Sequence, residues 1–102
     1  MKKYIELDTV GAVLWEEFIA PLNLSVENIG AATGILPARL REIIDGAAPV
    51  TAEIDLRLTK FLQLSAGYFL RLQANYETLR AKRKFAAQIM KIIPFSRAAA
   101  LV

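Results

Sequence analysis

At 102 residues the chain can build one domain with one modest core but not two independent ones, and a composition of 55% hydrophobic and 23% charged residues argues against a disordered polymer. The absence of cysteine and histidine excludes disulfides and thiolate or imidazole zinc sites, leaving carboxylates, hydroxyls and lysines as the only catalytic candidates. The net charge of +3 is unevenly spread: residues 1–77 hold all ten acids and seven bases, net −3, whereas residues 78–102 hold six bases and no acid, net +6.

The chain opens on "MKKYIELD", where "YIEL" is the only weak trace of period-2 alternation. Glu6 and Asp8 interrupt it before an apolar run reaches signal-peptide length, and no later run approaches the ~18–20 residues of a membrane span. The expectation is therefore a soluble, cytoplasmic protein with no membrane span, and glycines, prolines and capping residues that cut the rest into short helical pieces point to an all-α fold. A first helix is predicted over residues 9–20, with Val10, Leu14 and Phe18 on one face, Trp15 and Ile19 on a second stripe, and Pro21 as its stop. That second stripe is either a partner-facing patch or buried beneath a later helix.

Ser25 is placed to cap a second helix that carries Val26 and Ile29 inward and ends at Gly34, a residue suited to a left-handed C-terminal position. The third, "GILPARLREIIDG", tolerates Pro37 in its first turn and stops at Gly46, with Leu36, Leu40, Ile43 and Ile44 predicted to hold it to the core. A fourth begins at Thr51 with a core stripe of Ile54, Leu58, Phe61 and Leu62. Ser65 is predicted to cap the fifth and longest, with Phe69, Leu72, Tyr76 and Leu79 inward and no stop before Pro94. The division expected is a body over residues 1–79 and a basic amphipathic extension over residues 80–102.

Catalysis finds no constellation. Glu16 and Glu17 are adjacent and point about 100° apart on a helix, while Asp8 and the Glu53/Asp55 pair fall next to caps or exposed positions. No cofactor or metal site is predicted, and the chain is not read as an enzyme. Two short helices, residues 25–33 and 36–45, joined through a glycine make instead a helix-turn-helix. Gly30 supplies a small residue for the crossing, Gly34 the turn, and Ile29, Ile35, Leu40 and Ile43 the inner faces. Two ordinary core helices would satisfy the same pattern, so spacing alone does not establish DNA binding.

The ordered residues Gly11 and Leu14, Glu16-Glu17-Phe18, Pro21-Leu22, Ser25, Gly34, Arg39, Ile43, Gly46, Thr51-Ala52, Leu56-Arg57-Leu58, Leu72-Gln73 and Tyr76 carry more. Across residues 9–79 the chain resembles the HigA/VapI-type antitoxins of the lambda-repressor-like (Cro/C1, XRE) helix-turn-helix class. That resemblance implies a five-helix, usually dimeric domain that binds an operator palindrome in double-stranded DNA and neutralises a RelE-like RNA-cleaving toxin by complex formation. It also implies DNA contacts from Ser25, Val26 and Glu27 at the start of the second helix, and from Pro37, Ala38, Arg39 and Arg41 on the third.

The chain departs from that pattern at four places. Thr9-Val10 and Phe69, in place of a His-Pro pair and a tryptophan, are packing changes. Val26 and Ala47-Ala48 stand where the class places polar or basic residues against phosphates, which supply much of the affinity and most of the salt dependence. Two outcomes follow: weakened DNA binding on a scaffold kept as a protein-interaction module, or a phosphate grip shared with another surface. Arg41, facing away from Leu40 and Ile44, is the first choice for a base or phosphate contact; Arg39 is either a second contact or half of an ion pair. The extension, with Phe85, Ile89, Ile92 and Ile93 among its six bases, has three readings: phosphate contacts, docking of a partner or second copy, or an anionic membrane surface.

Overall fold

A computed structural model describes residues 9–96, and all of its regular structure is helical. The "YIEL" alternation, the Asp8 carboxylate and Arg97 lie outside the described residues. The elements are α1, Val10–Val13, which runs directly into a π-helical segment, Leu14–Ile19; α2, Val26–Thr33; α3, Pro37–Ile44; α4, Ala52–Leu62; α5, Tyr68–Lys84; and α6, Ala86–Met90.

Three helix starts rest on local hydroxyl caps. Thr9 Oγ1 accepts from Ala12 N at 3.1 Å, Ser25 Oγ from Asn28 N at 3.0 Å and Thr51 Oγ1 from Ile54 N at 3.3 Å, each satisfying an N–H that the helix itself leaves without a partner. The core they enclose is built from Val10, Leu14, Ile19, Val26, Ile29, Ile35, Leu40, Ile43, Val50, Ile54, Leu58 and Phe69. Phe18, Tyr68 and Phe69 close one end edge-to-face, with centroids 5.2–5.9 Å apart.

Several expectations are corrected. The π-helical turns after Val13 bond residues five apart, so Leu14 and Ile19 are both fully buried while Trp15 stays 43% exposed; the predicted Trp15/Ile19 stripe is split between core and surface. Leu36 is the N-cap residue of α3, not a core residue, and is 73% exposed. On α4 the inward stripe is rotated: Asp55 and Thr59 are buried beside Ile54 and Leu58, and Phe61 faces outward.

The reason for that rotation is the start of α5. Gly67, not Ser65, is its N-cap, at φ +88°, and it offers no side chain. Asp55 reaches over from α4 instead: Oδ2 accepts from Gly67 N at 2.6 Å, and Oδ1 from Phe69 N at 2.9 Å and Leu70 N at 3.3 Å. Asp55, expected next to a cap or an exposed position, is 1% exposed and is itself the cap of the following helix. Farther along α5, the Gln73 amide pairs with both backbone groups of Val50, accepting at 2.7 Å from its N–H and donating at 3.0 Å to its C=O. That pairing fastens the α3–α4 connector to α5.

The last expectation corrected is the uninterrupted run to Pro94. α5 ends at Lys84, and Phe85, at φ −113° and ψ 18°, separates it from α6 with no proline or glycine at the break. Phe85 lines a groove of about 430 Å³ with Gly11, Ala47, Pro49, Tyr76 and Arg80, while Ile89, Met90, Ile92, Ile93 and Phe95 lie exposed beyond it.

Candidate nucleic-acid interface

The α2–α3 hairpin is held at its turn, at its crossing and on its far side. At the turn Gly34 takes φ +81°, the left-handed conformation that costs a residue with a Cβ about 1–2 kcal/mol, and Gly34 N donates to Gly30 O at 2.8 Å. At the crossing a Cβ on Gly30 would lie 2.8 Å from the Ile35 carbonyl oxygen and 3.1 Å from Pro37 Cγ, so only glycine lets α3 start this close to α2. Thr33, in a buried position, resolves its own polarity there: its hydroxyl donates to Ile29 O at 2.6 Å and accepts from Ile35 N at 3.2 Å.

On the far side stands Arg57 of α4. Its Nη1 donates to Thr33 O at 2.7 Å, one of the carbonyls that the end of α2 leaves without a partner, while Glu53 steadies the guanidinium at 3.0 Å. Replacing Arg57 with alanine should cost about 1–2 kcal/mol, because the charged donor to Thr33 is lost while the exposed Glu53 pair contributes little. The check is a lowered urea midpoint with an unchanged denaturant slope.

These braces turn a short face of α3 and the first turn of α2 outward. Ala38, Arg39 and Arg41 are exposed, as is Glu27; Pro37 and Ser25 are half-buried, Pro37 against Gly30 and Ser25 as the cap of α2. Val26 is 9% exposed and belongs to the core, as its inward reading on α2 has it, so the contact that the resemblance implies there is not one its side chain can make to a phosphate. Ala47 is exposed and Ala48 packs against the core, so no cation follows α3 in the connector.

Both arginines of the face have acidic partners. Arg39 Nε lies 3.4 Å from Glu42 Oε1, which gives Arg39 the ion pair that was one of its two readings. Arg41 Nη2 is hydrogen-bonded to Glu27 Oε2 across the two helices. The Glu27 carboxyl is held below the usual carboxylate range, first by a backbone N–H at its own position and then by Arg41, so it stays ionised through neutral pH and into mild acid.

Sequence reasoning did not foresee Asp55, Arg57 or Gln73 in these roles. A usable signal existed only for the first: a carboxylate inside the stripe Ile54, Asp55, Leu58, Thr59 marks a buried charge that must have partners. For chemistry of another kind, no group of three potential metal ligands occurs among the described residues.

No family model matches the chain. It is 32% identical over 86 residues to virulence-associated protein I of Dichelobacter nodosus, an overlap covering 84% of this chain and 79% of that one. Among solved structures it is similar to an addiction module antidote protein of the HigA family from Coxiella burnetii, with a TM-score of 0.79 and 27% identity over 88% of this chain and 99% of that one. It shares its fold with the Pseudomonas aeruginosa antitoxin HigA, solved with the higBA promoter, at a TM-score of 0.77 and 22% identity over 87% and 98% of the two chains.

Proposed function

Because this chain belongs to the HigA/VapI-type antitoxin family of helix-turn-helix proteins, we propose that it is a sequence-specific DNA-binding regulator that represses its own promoter. The observation that carries this reading is the braced hairpin, which fixes α3 with Ala38, Arg39 and Arg41 facing solvent. Arginine can bond both acceptors of a guanine edge and alanine can meet a thymine methyl, so this face holds groups suited to the major groove. Two copies in a symmetric dimer would set two such helices about 34 Å apart on a palindrome and occlude the promoter. Toxin neutralisation would proceed by complex formation in the cytoplasm, with a RelE-like RNase as the partner and no catalytic step by this chain. The apolar residues beyond Lys84 are the surface suited to docking that partner or the second copy.

A gel shift on the intergenic DNA upstream of the gene, at low and moderate salt, tests this. Retarded complexes are expected at submicromolar protein, and Arg41→Ala should weaken operator binding by about 1–3 kcal/mol, with Arg39→Ala weakening it less. The absence of a shift at micromolar protein would overturn the reading. It would favour the second one, a protein-interaction module on this scaffold, which the buried Val26 and the cation-free connector at Ala47-Ala48 support.

A further inference from the structure

On the outward face of the hairpin two arginines are matched by two carboxylates, and one pair is unlike the other. Arg39 and Glu42 are neighbours on one helix, whereas Glu27 and Arg41 join the first turn of α2 to α3. The side chains of Glu27 and Arg41 are 63% and 54% exposed, so the pair stands in solvent and adds little to stability. Its consequence is for what Arg41 can bind. A lone arginine beside DNA settles readily on a phosphate, the strongest anion present, and gains affinity without reading sequence.

We propose that Glu27 is a specificity-determining residue, which keeps Arg41 off phosphates and positions it as a reader of a guanine edge. This rests on the DNA-binding reading above. The carboxylate of Glu27 takes one N–H of Nη2, so the second Nη2 N–H and one neighbouring donor, Nε or Nη1 according to which N–H is taken, still form a two-donor edge for neutral acceptors such as guanine O6 and N7. It also cancels the charge that would attract a phosphate oxygen, and it repels that oxygen directly. Arg41 then contributes base hydrogen bonds and little counterion release. Glu27 touches no base in this scheme; it acts through Arg41.

The test is a double-mutant cycle on the full-length protein, measuring affinity for the upstream operator and for a scrambled duplex across a salt series. Circular dichroism verifies that each variant stays helical. In the wild-type background Arg41→Ala should weaken operator binding roughly 10- to 100-fold and leave the slope of log K against log salt nearly unchanged. Glu27→Gln should strengthen binding to the scrambled duplex, lower the operator-to-scrambled ratio, and steepen the slope by about 0.9, the value for one added phosphate contact. Adding Glu27→Gln to Arg41→Ala should produce much less of this change.

If Glu27→Gln has the same effect with and without Arg41, the residue is only a generic negative charge and the proposal is overturned. An operator-to-scrambled ratio unchanged in Glu27→Gln overturns it as well. Wild-type protein that binds neither duplex at low salt removes the DNA-binding reading and this proposal together, an outcome separate from the other two.

Discussion

Asp55→Ala should destabilise the protein by about 3 kcal/mol, lowering the midpoint of thermal unfolding by roughly 12–20 °C in a domain of this size. The carboxylate is buried and accepts from the N–H groups of Gly67, Phe69 and Leu70, three donors at the start of α5. Alanine leaves all three without a partner in a place water reaches poorly, and each buried orphan costs about 1–3 kcal/mol. Asp55→Asn should fall in between, because its carbonyl oxygen can serve one side while its NH2 group is set against a donor on the other. Urea denaturation of the two variants gives the ordering; a loss below about 1 kcal/mol for alanine would show that solvent replaces the cap.

The second large effect is at Gly11, where the cause is space. A Cβ there would collide with the Ile43 carbonyl oxygen and lie within 2.8 Å of Ile43 C and Ile44 Cα. All three are main-chain atoms of α3, so no rotamer change relieves the contact. Gly11→Ala should therefore cost about 2–3 kcal/mol, at the upper end for an inserted methyl group. It should also push α3 outward from α1, so that operator binding falls by more than the loss of folded protein explains. Comparing the unfolding midpoint with operator affinity, measured at a temperature where the variant is still folded, separates the two losses.

What could be read from the sequence was what is decided within a few residues. The starts at Thr9, Ser25 and Thr51 and the turns at Gly34 and Gly46 depend on a hydroxyl three residues from its N–H or on a positive φ, and both leave a local mark. The hairpin was legible for the same reason, and Gly30, Ile29, Leu40 and Ile43 stand at the crossing or in the core as the pattern required.

The bonds that fasten one helix to another left no such mark. Asp55 to Gly67, Arg57 to Thr33 and Gln73 to Val50 span 12, 24 and 23 positions, and nothing near either end announces the other. Gly11 was visible as a glycine in a helix, but its reason is the backbone of α3, thirty-two positions away in Ile43. Leu36 and Phe61 were misplaced because a helical period assigns a face by spacing. The cap of α3 and the reach of Asp55 toward α5 set the actual rotation. On the interface, exposure of Arg39 and Arg41 was expected; the cross-helix partner of Arg41 was not, since Glu27 lies 14 positions before it.

The uneven balance of charge between the hairpin and the α5–α6 stretch bears on kinetics. Arg39 and Arg41 sit on the hairpin, each beside a carboxylate, while Arg80, Lys82, Lys84 and Lys91 lie along α5 and just past α6, in a stretch of sequence without an acid, and Arg80 and Lys84 line the groove beside Ile43 and Ala47 at the end of α3. A polyanion approaching from afar responds to uncompensated charge, so capture would be governed by the basic α5–α6 stretch and would slow as ionic strength rises. Residence would be governed by the short-range bonds of α3, which a screening salt affects far less. Arrival and retention would thus be set by different stretches of one short chain, and a change in either stretch could alter its own rate with little effect on the other.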